Sequence, residues 1–205
     1  RMEDDNKLIL ERKRKLDRLK GKFNPYPNTF QKSDKTSLLR EKYDNLKKEE
    51  LSKKEVNVSI AGRLLMIREM GNSTFADLHD ESGKIQIYLQ NKSLNDESSI
   101  ILSELDLGDI VGIKGVLFKT KTNELTINVS EIILIAKSLR PLPEKFHGIA
   151  DIEIKYRQRY LDLMISHDTK DLFKKRIKII SSIRNFFITN DFLEIETPMM
   201  HTIPG

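Results

Sequence analysis

Apolar residues recur along this chain with two different periods, and the changeover between them sets its organisation. In the first 55 residues the spacing is three and four. Ile9, Leu16, Leu19 and Phe23 form a narrow seam, which predicts a helix with one buried stripe. Asp4, Asp5 and Asn6 offer N-caps and favourable charge for it, and Gly21 followed by Asn24-Pro25-Tyr26-Pro27 ends it. A second, shorter helix is predicted from near Ser37, with Leu38, Leu39, Tyr43 and Leu46 inward, fraying into the charged run Lys47 to Lys54. From Val56 to Lys137 the period is two. This predicts strands over Val56–Met66, Thr74–His79, Lys84–Leu89, Ile110–Phe118 and Leu125–Ile135, the last with an irregularity near Ser130, and a short helix over Glu97–Leu105. Helical spacing returns at Leu172, Phe173, Ile177, Ile180, Ile183 and Phe187, predicting a helix over 168–188 of about five turns. Leu193 and Ile195 then alternate with Glu194 and Glu196, which predicts a strand over 192–197 ending at Pro198.

Three strands, a helix and two more strands within about 80 residues is the order of an OB-fold barrel, which binds on the face of its second and third strands, aided by the loops joining strands one and two and strands four and five. The fold class is therefore α+β, mostly β: N-terminal helices, a five-stranded OB-fold barrel, then a helix and strand. The pleat identifies the outer face. Ala76 and Leu78 share one side of the second strand with Ile85, Ile87 and Leu89 of the third, and this aliphatic set is the core side. Phe75 is left outside with Asp77, His79, Gln86 and Tyr88, where folding alone gives an aromatic ring no reason to be. It reads as a stacking platform for an unpaired base or, more plainly, as rim or interdomain packing. Gln86 beside it can hydrogen-bond a base edge as donor and acceptor. Glu124, in the loop between strands four and five, can accept from base amino or imino groups, although an isolated turn glutamate is more often solubilising charge.

Charge refines this picture by its distribution. The net charge is +5, and residues 1–55 hold 17 Lys and Arg against 11 Asp and Glu, whereas residues 56–140 hold 9 against 11. Lys13, Arg14, Lys15, Arg18, Lys20 and Lys22 are thus either a solvated helix face or a set of phosphate contacts, with Lys13, Arg14, Arg18 and Lys20 the foremost candidates for the second role. The chain contains no cysteine and four scattered histidines, which excludes a disulfide framework, a thiolate nucleophile and a His/Cys metal cluster. The longest apolar runs fall short of the eighteen or so residues a membrane span requires, and no hydrophobic signal core opens the chain. A cytoplasmic protein with no membrane partner is the default. No paired carboxylates, glycine-rich phosphate loop or Ser/His/Asp set offers an active site.

A long helix feeding a strand that stops at a proline resembles motif 1, the dimerisation element of class II aminoacyl-tRNA synthetases. Three phrases narrow the resemblance: Arg157-Gln158-Arg159-Tyr160-Leu161-Asp162-Leu163, the stretch Arg140-Pro141-Leu142-Pro143-Glu144-Lys145-Phe146-His147-Gly148, and Glu196-Thr197-Pro198-Met199-Met200 with His201-Thr202-Ile203-Pro204-Gly205. Together they are similar to the lysyl-tRNA synthetase family in its bacterial form. Aspartyl- and asparaginyl-tRNA synthetases share the layout and a Glu-Thr-Pro, but not the Met-Met and Ile-Pro-Gly that follow.

The resemblance implies a basic helical extension over 1–55, an OB-fold anticodon-binding domain over 56–140, a linker over 141–156, and the start of a class II catalytic domain over 157–205. It places Phe75, Gln86 and Glu124 at the family's base-contacting positions, with Phe75 stacking on an anticodon uridine, and Arg63 at a position that touches the anticodon loop or is structural. It places Ile195, Glu196 and Pro198 in a homodimer interface. The family charges lysine tRNA with lysine, using ATP and Mg2+ through residues of motifs 2 and 3; those would fall beyond Gly205, so no catalytic or metal residue is expected here, no cofactor is expected to bind this chain, and it is not expected to aminoacylate alone. The alternatives are a non-catalytic OB-fold RNA-binding module and an aspartyl- or asparaginyl-type chain. Residues 1 to about 145 are expected to fold on their own, and 150–205 to be loosely held or to self-associate.

Overall fold

In the computed structural model the described residues are 2–143 and 151–200, with side chains described from residue 6 onward. The chain divides into two compact units, Arg1–Leu142 and Pro143–Gly205. The expectations for linker residues 144–150 and for the tail His201–Gly205 lie outside the described residues.

In the first unit the five strands β1 (Asn57–Met70), β2 (Ser73–His79), β3 (Lys84–Gln90), β4 (Ile110–Lys119) and β5 (Leu125–Ala136) close into a barrel in the order β1-β2-β3-β5-β4. Only the β3–β5 pairing is parallel; the others are antiparallel. β1 runs four residues beyond its expected end because Ile67–Met70 pair with Ser73–Ala76 right up to the turn. A bulge between Leu64 and Met66 shifts the register, so Leu64 and Leu65 are both buried despite being neighbours. The irregularity expected near Ser130 is present: Val129 pairs with Gly115 and Glu131 with Lys114, which leaves Ser130 out of the ladder. Inside lie the alternating aliphatics, Ile60, Leu64, Leu78, Ile85, Ile87, Leu89, Ile113, Leu117, Leu125 and Ile127. A short helix capped by Asn95 (Asp96–Ser103) covers one end through Ile101.

Three helices precede the barrel: α1 (Met2–Lys20), α2 (Thr36–Tyr43) and α3 (Lys48–Lys54); the capped helix Asp96–Ser103 is α4. α1 is already running at Met2, which places Asp4, Asp5 and Asn6 within the helix rather than ahead of it. Its seam buries Leu16 and Leu19 as expected, and also Arg12, whose guanidinium donates to the carbonyls of Leu107, Ser138 and Arg140. In α2 Leu39 and Tyr43 are buried, but Leu38 is 57% exposed; the helix meets the barrel on the Thr36–Leu39–Tyr43 line, and Leu38 lies off it. The charged run does not fray. It forms α3, because Leu51, 0% exposed, gives an otherwise polar turn an apolar anchor against the core. Between α1 and α2 the chain crosses β4, and Phe30 fills a notch left by Gly112, where a Cβ would stand 2.7 Å from the ring.

The second unit holds α5 (Ile152–Arg157), α6 (Arg159–Ile165) and α7 (His167–Thr189). α5 begins inside the segment expected to be a linker. Asp162, 2% exposed, joins α6 to α7: it pairs with Arg159 and accepts from the Thr169 hydroxyl, while the Arg159 guanidinium lies over the rings of Tyr156 and Phe173. α7 spans the expected helix and is N-capped by Ser166. The strand expected over 192–197 does not form; the segment has no regular secondary structure and no ladder bonds. An alternating sequence becomes a strand only beside a partner that takes its N–H and C=O groups, and the described residues provide none there.

Candidate nucleic-acid interface

The outer face of the barrel carries a row of aromatic rings from β2, β3 and β4. Phe75 and Tyr88 are register partners, so their side chains leave the sheet on the same face, with ring centroids 4.8 Å apart and planes tilted by 44°. Tyr88 in turn meets Phe118 of β4 edge-on at 6.0 Å. All three rings are half-buried, and the Tyr88 hydroxyl is tied to Ser73 at 2.9 Å. Arg68, exposed on β1 directly opposite Phe75, adds a cation at the edge of the row. A face built this way offers flat apolar surface with polar groups at its margin, the arrangement that stacks unpaired bases.

One step along the strands lies a polar row. Asp77 pairs with Gln86 across β2 and β3, and Gln86 with Thr126 across β3 and β5. The Thr126 hydroxyl donates to Gln86 Oε1 at 2.9 Å, fixing the amide beside the rings. Beyond it the Glu124 carboxylate receives Arg40 Nη2 at 2.7 Å. Burial by itself would lower the Arg40 pKa, but its bonds to Glu124 and Asp44 outweigh that and raise it, so the guanidinium remains charged.

The structure thus brings Phe75, Gln86 and Glu124 to one face, and places Arg63 elsewhere. Arg63 stands opposite His79, four residues along β2 from Phe75 and so about 13 Å away. Its Nη1 donates to the Gly108 carbonyl at 2.7 Å, and burial pulls its pKa down against the smaller opposing effect of Asp109. Its evident work is to hold the turn entering β4.

The basic residues of α1 divide in the same way. Arg12, Lys15 and Arg18 recur every three residues and face the barrel. Lys15 bonds Asp106 at 2.8 Å, and Arg18 grips Glu104 with two bonds of 2.7 Å. Lys13, Arg14 and Lys20 are exposed, Lys20 lying 3.7 Å from Asp17. Arg18 thus helps dock α1 through Glu104, although its side chain is 55% exposed. In the second unit Ile195, Glu196 and Pro198 are all exposed. Tyr88, Phe118, Arg40 and Thr126 were not singled out from sequence. Tyr88 carried a signal, its place beside Gln86 on the outer side of β3, whereas Arg40 carried none, since its partner lies 84 residues away.

Among the described residues no helix is long and apolar enough to cross a membrane, and no group of three His, Asp or Glu is placed to hold a metal ion. A barrel with such a face, preceded by basic helices and followed by a helix-rich unit, belongs to the nucleic-acid-binding OB class. Residues 58–135 match the family described as OB-fold nucleic acid binding domain, and residues 151–205 match class II tRNA synthetases of the D, K and N type. The chain is 49% identical over 203 residues to the lysine–tRNA ligase of Nitrosomonas europaea, covering 99% of this chain and 40% of that protein. It is 51% identical over 209 residues to that of Janthinobacterium sp. strain Marseille, covering 99% and 41%, and 47% identical over 202 residues to that of Neisseria gonorrhoeae strain FA 1090, covering 98% and 40%. Over nearly its whole length the chain is similar to lysyl-tRNA synthetases of class II, and it spans about 40% of the length of these curated relatives. These relatives favour neither the aspartyl- or asparaginyl-type reading nor the non-catalytic one.

Proposed function

We propose that the aromatic face of the barrel binds the anticodon loop of lysine tRNA, and that the protein to which this sequence belongs is a lysine–tRNA ligase acting in the cytoplasm. The observation that carries this reading is the Phe75–Tyr88–Phe118 row, half-exposed where a barrel needs no aromatic surface. Phe75 stacks on an anticodon uridine. Gln86, steadied by Thr126, and Glu124, steadied by Arg40, hydrogen-bond base edges beside it, and Lys13, Arg14 and Lys20 supply phosphate contacts that hold the loop without reading its sequence. Arg63 has structural employment and is not part of the reader.

In the whole enzyme ATP and lysine give lysyl-adenylate and pyrophosphate, and the lysyl group then passes to the tRNA 3′ end with release of AMP. The described residues offer neither a carboxylate cluster for Mg2+ nor a glycine-rich loop for the phosphates, so they do not fit that chemistry. What they contribute is substrate selection. The α7 stripe and the segment with Ile195, Glu196 and Pro198 contribute the homodimer contact.

Binding of the chain to an anticodon stem-loop of lysine tRNA, and to one with its central uridine replaced, tests this at fixed salt. Phe75→Ala is expected to weaken the cognate stem-loop by roughly 5- to 150-fold, the equivalent of about 1–3 kcal/mol of lost base stacking. Equal binding of both stem-loops by the unaltered chain, or an unchanged Kd for Phe75→Ala, would overturn the reading. Lys13→Ala and Arg14→Ala are each expected to lower affinity uniformly across sequences and to reduce the salt slope by about one.

A further inference from the structure

Glu124 sits in the hairpin between β4 and β5, where a glutamate side chain of its own accord samples many rotamers. One side chain among the described residues restrains its carboxylate, and that side chain comes from α2. The N-terminus of α2 is gripped by the turn between β2 and β3: Asp80 accepts from the Thr36 amide at 2.8 Å and from its hydroxyl at 2.6 Å, and Ser82 accepts from the Ser37 amide at 3.0 Å. One turn further on, the Arg40 guanidinium is held at three points. Nε donates to the Lys84 carbonyl at 2.7 Å, Nη1 to Asp44 at 3.2 Å, and Nη2 to Glu124 Oε1 at 2.7 Å. A planar, permanently charged fork anchored to β3 and to its own helix is a rigid donor, and it fixes one oxygen of Glu124 while the carboxylate, 44% exposed, retains a second oxygen for another donor.

We propose that Arg40 is the positioning residue of the base reader: it orders the Glu124 carboxylate before RNA arrives, and so sets the discrimination at the one anticodon base that Glu124 meets. The inference rests on the anticodon-binding reading of the barrel face. It makes the helices ahead of the barrel part of the specificity device, since α2 is clamped to the turn before β3 at one end and to the β4–β5 hairpin at the other. Pre-ordering a rotamer-rich side chain strengthens binding by about 3- to 10-fold, and only toward a base that donates to it.

The test uses the 205-residue chain with the cognate stem-loop and three others, each with a single anticodon uridine changed to cytidine. Glu124→Ala is expected to erase discrimination at one of the three positions. Arg40→Ala is expected to reduce discrimination by about 3- to 10-fold at that same position and at no other, to add nothing when combined with Glu124→Ala, and to be partly rescued by Arg40→Lys, which restores the charge without the fork. Far-ultraviolet circular dichroism checks folding; if Arg40→Ala does not fold, Arg40→Lys read against all four stem-loops carries the same expectation at reduced size. Three results overturn the proposal while leaving the barrel-face reading intact: equal weakening of all four stem-loops by Arg40→Ala, a gain in affinity, or a loss at a position that Glu124→Ala leaves unchanged. Failure of the unaltered chain to distinguish the stem-loops removes both.

Discussion

Between Asn57 and Ala136 the chain buries its own large aliphatic side chains, whereas between Ile152 and Met200 it buries almost none. The stripe on α7 is as regular as any in the barrel, yet Ile177 is 62% and Ile183 52% exposed, and Asp162 is the only buried residue described in that unit. The contrast is one of closure. A five-stranded barrel turns every strand's inner face toward the others and satisfies every ladder, so alternating residues are sufficient to make a core. A single long helix has an apolar face that, among the described residues, little more than Phe192 on Phe187 covers, and the Leu193–Ile195 segment has side chains patterned for a sheet with no strand beside it among those residues. The same quality of pattern yields a finished interior in one region and an unfinished surface in the other.

The sharpest way to break this comparison is to truncate one side chain on each side of it. Ile87→Ala, at the centre of the barrel, is expected to cost about 2–5 kcal/mol in urea denaturation, and Ile183→Ala within about 0.5 kcal/mol. A similar loss from both would show that α7 is buried in solution. In that event Ile183→Asp should lower the sedimentation-derived association constant while leaving the barrel's urea transition in place. Next in size is the docking of α1. Arg12 holds three carbonyls from a buried position, so Arg12→Ala is expected to cost about 1.5–3 kcal/mol and to open the 21–30 segment to limited proteolysis; resistance equal to the unaltered chain would show that Leu16 and Leu19 suffice to dock the helix.

A smaller effect is expected with pH at the α2 clamp. Burial would raise the Asp80 carboxyl above its ordinary value of 3.8, but bonds from the Thr36 hydroxyl and amide and from Ser82 bring it down to about 2. A pKa depressed by folding contributes stability that is present above the unfolded value and is lost as pH falls through the folded one. The Thr36 and Ser82 amides are therefore expected to lose hydrogen-exchange protection between about pH 4 and pH 2, ahead of the barrel strands, and Asp80→Asn should remove that pH dependence. Loss in step with the strands would mean that the clamp has no stability of its own.

How much of this was legible in the chain follows from how far each signal reaches. The strands of the barrel, the α7 helix and the irregularity at Ser130 are written in local periodicity. Phe75 was conspicuous because the pleat put it on the wrong side for folding, and Gln86 lay beside it for the same reason. Leu51, Leu38 and the 192–197 segment were misjudged because burial and ladder formation depend on what stands opposite, which no local window contains. The pairing of Arg18 was not legible, because one basic stripe of α1 meets Glu104 and Asp106 about ninety residues on.

By itself, then, the sequence determined the barrel, its polarity, the aromatic on its outer face and, through its phrases, the resemblance to the lysyl-tRNA synthetases. Tertiary structure alone decided which charges are committed and which remain available: Arg12, Lys15 and Arg18 to docking, Arg63 to a carbonyl, Arg40 to Glu124. The physical reason is that periodicity is a property of neighbours along the chain, whereas a charge is assigned by whichever opposite charge or carbonyl the fold carries to within about 3 Å of it.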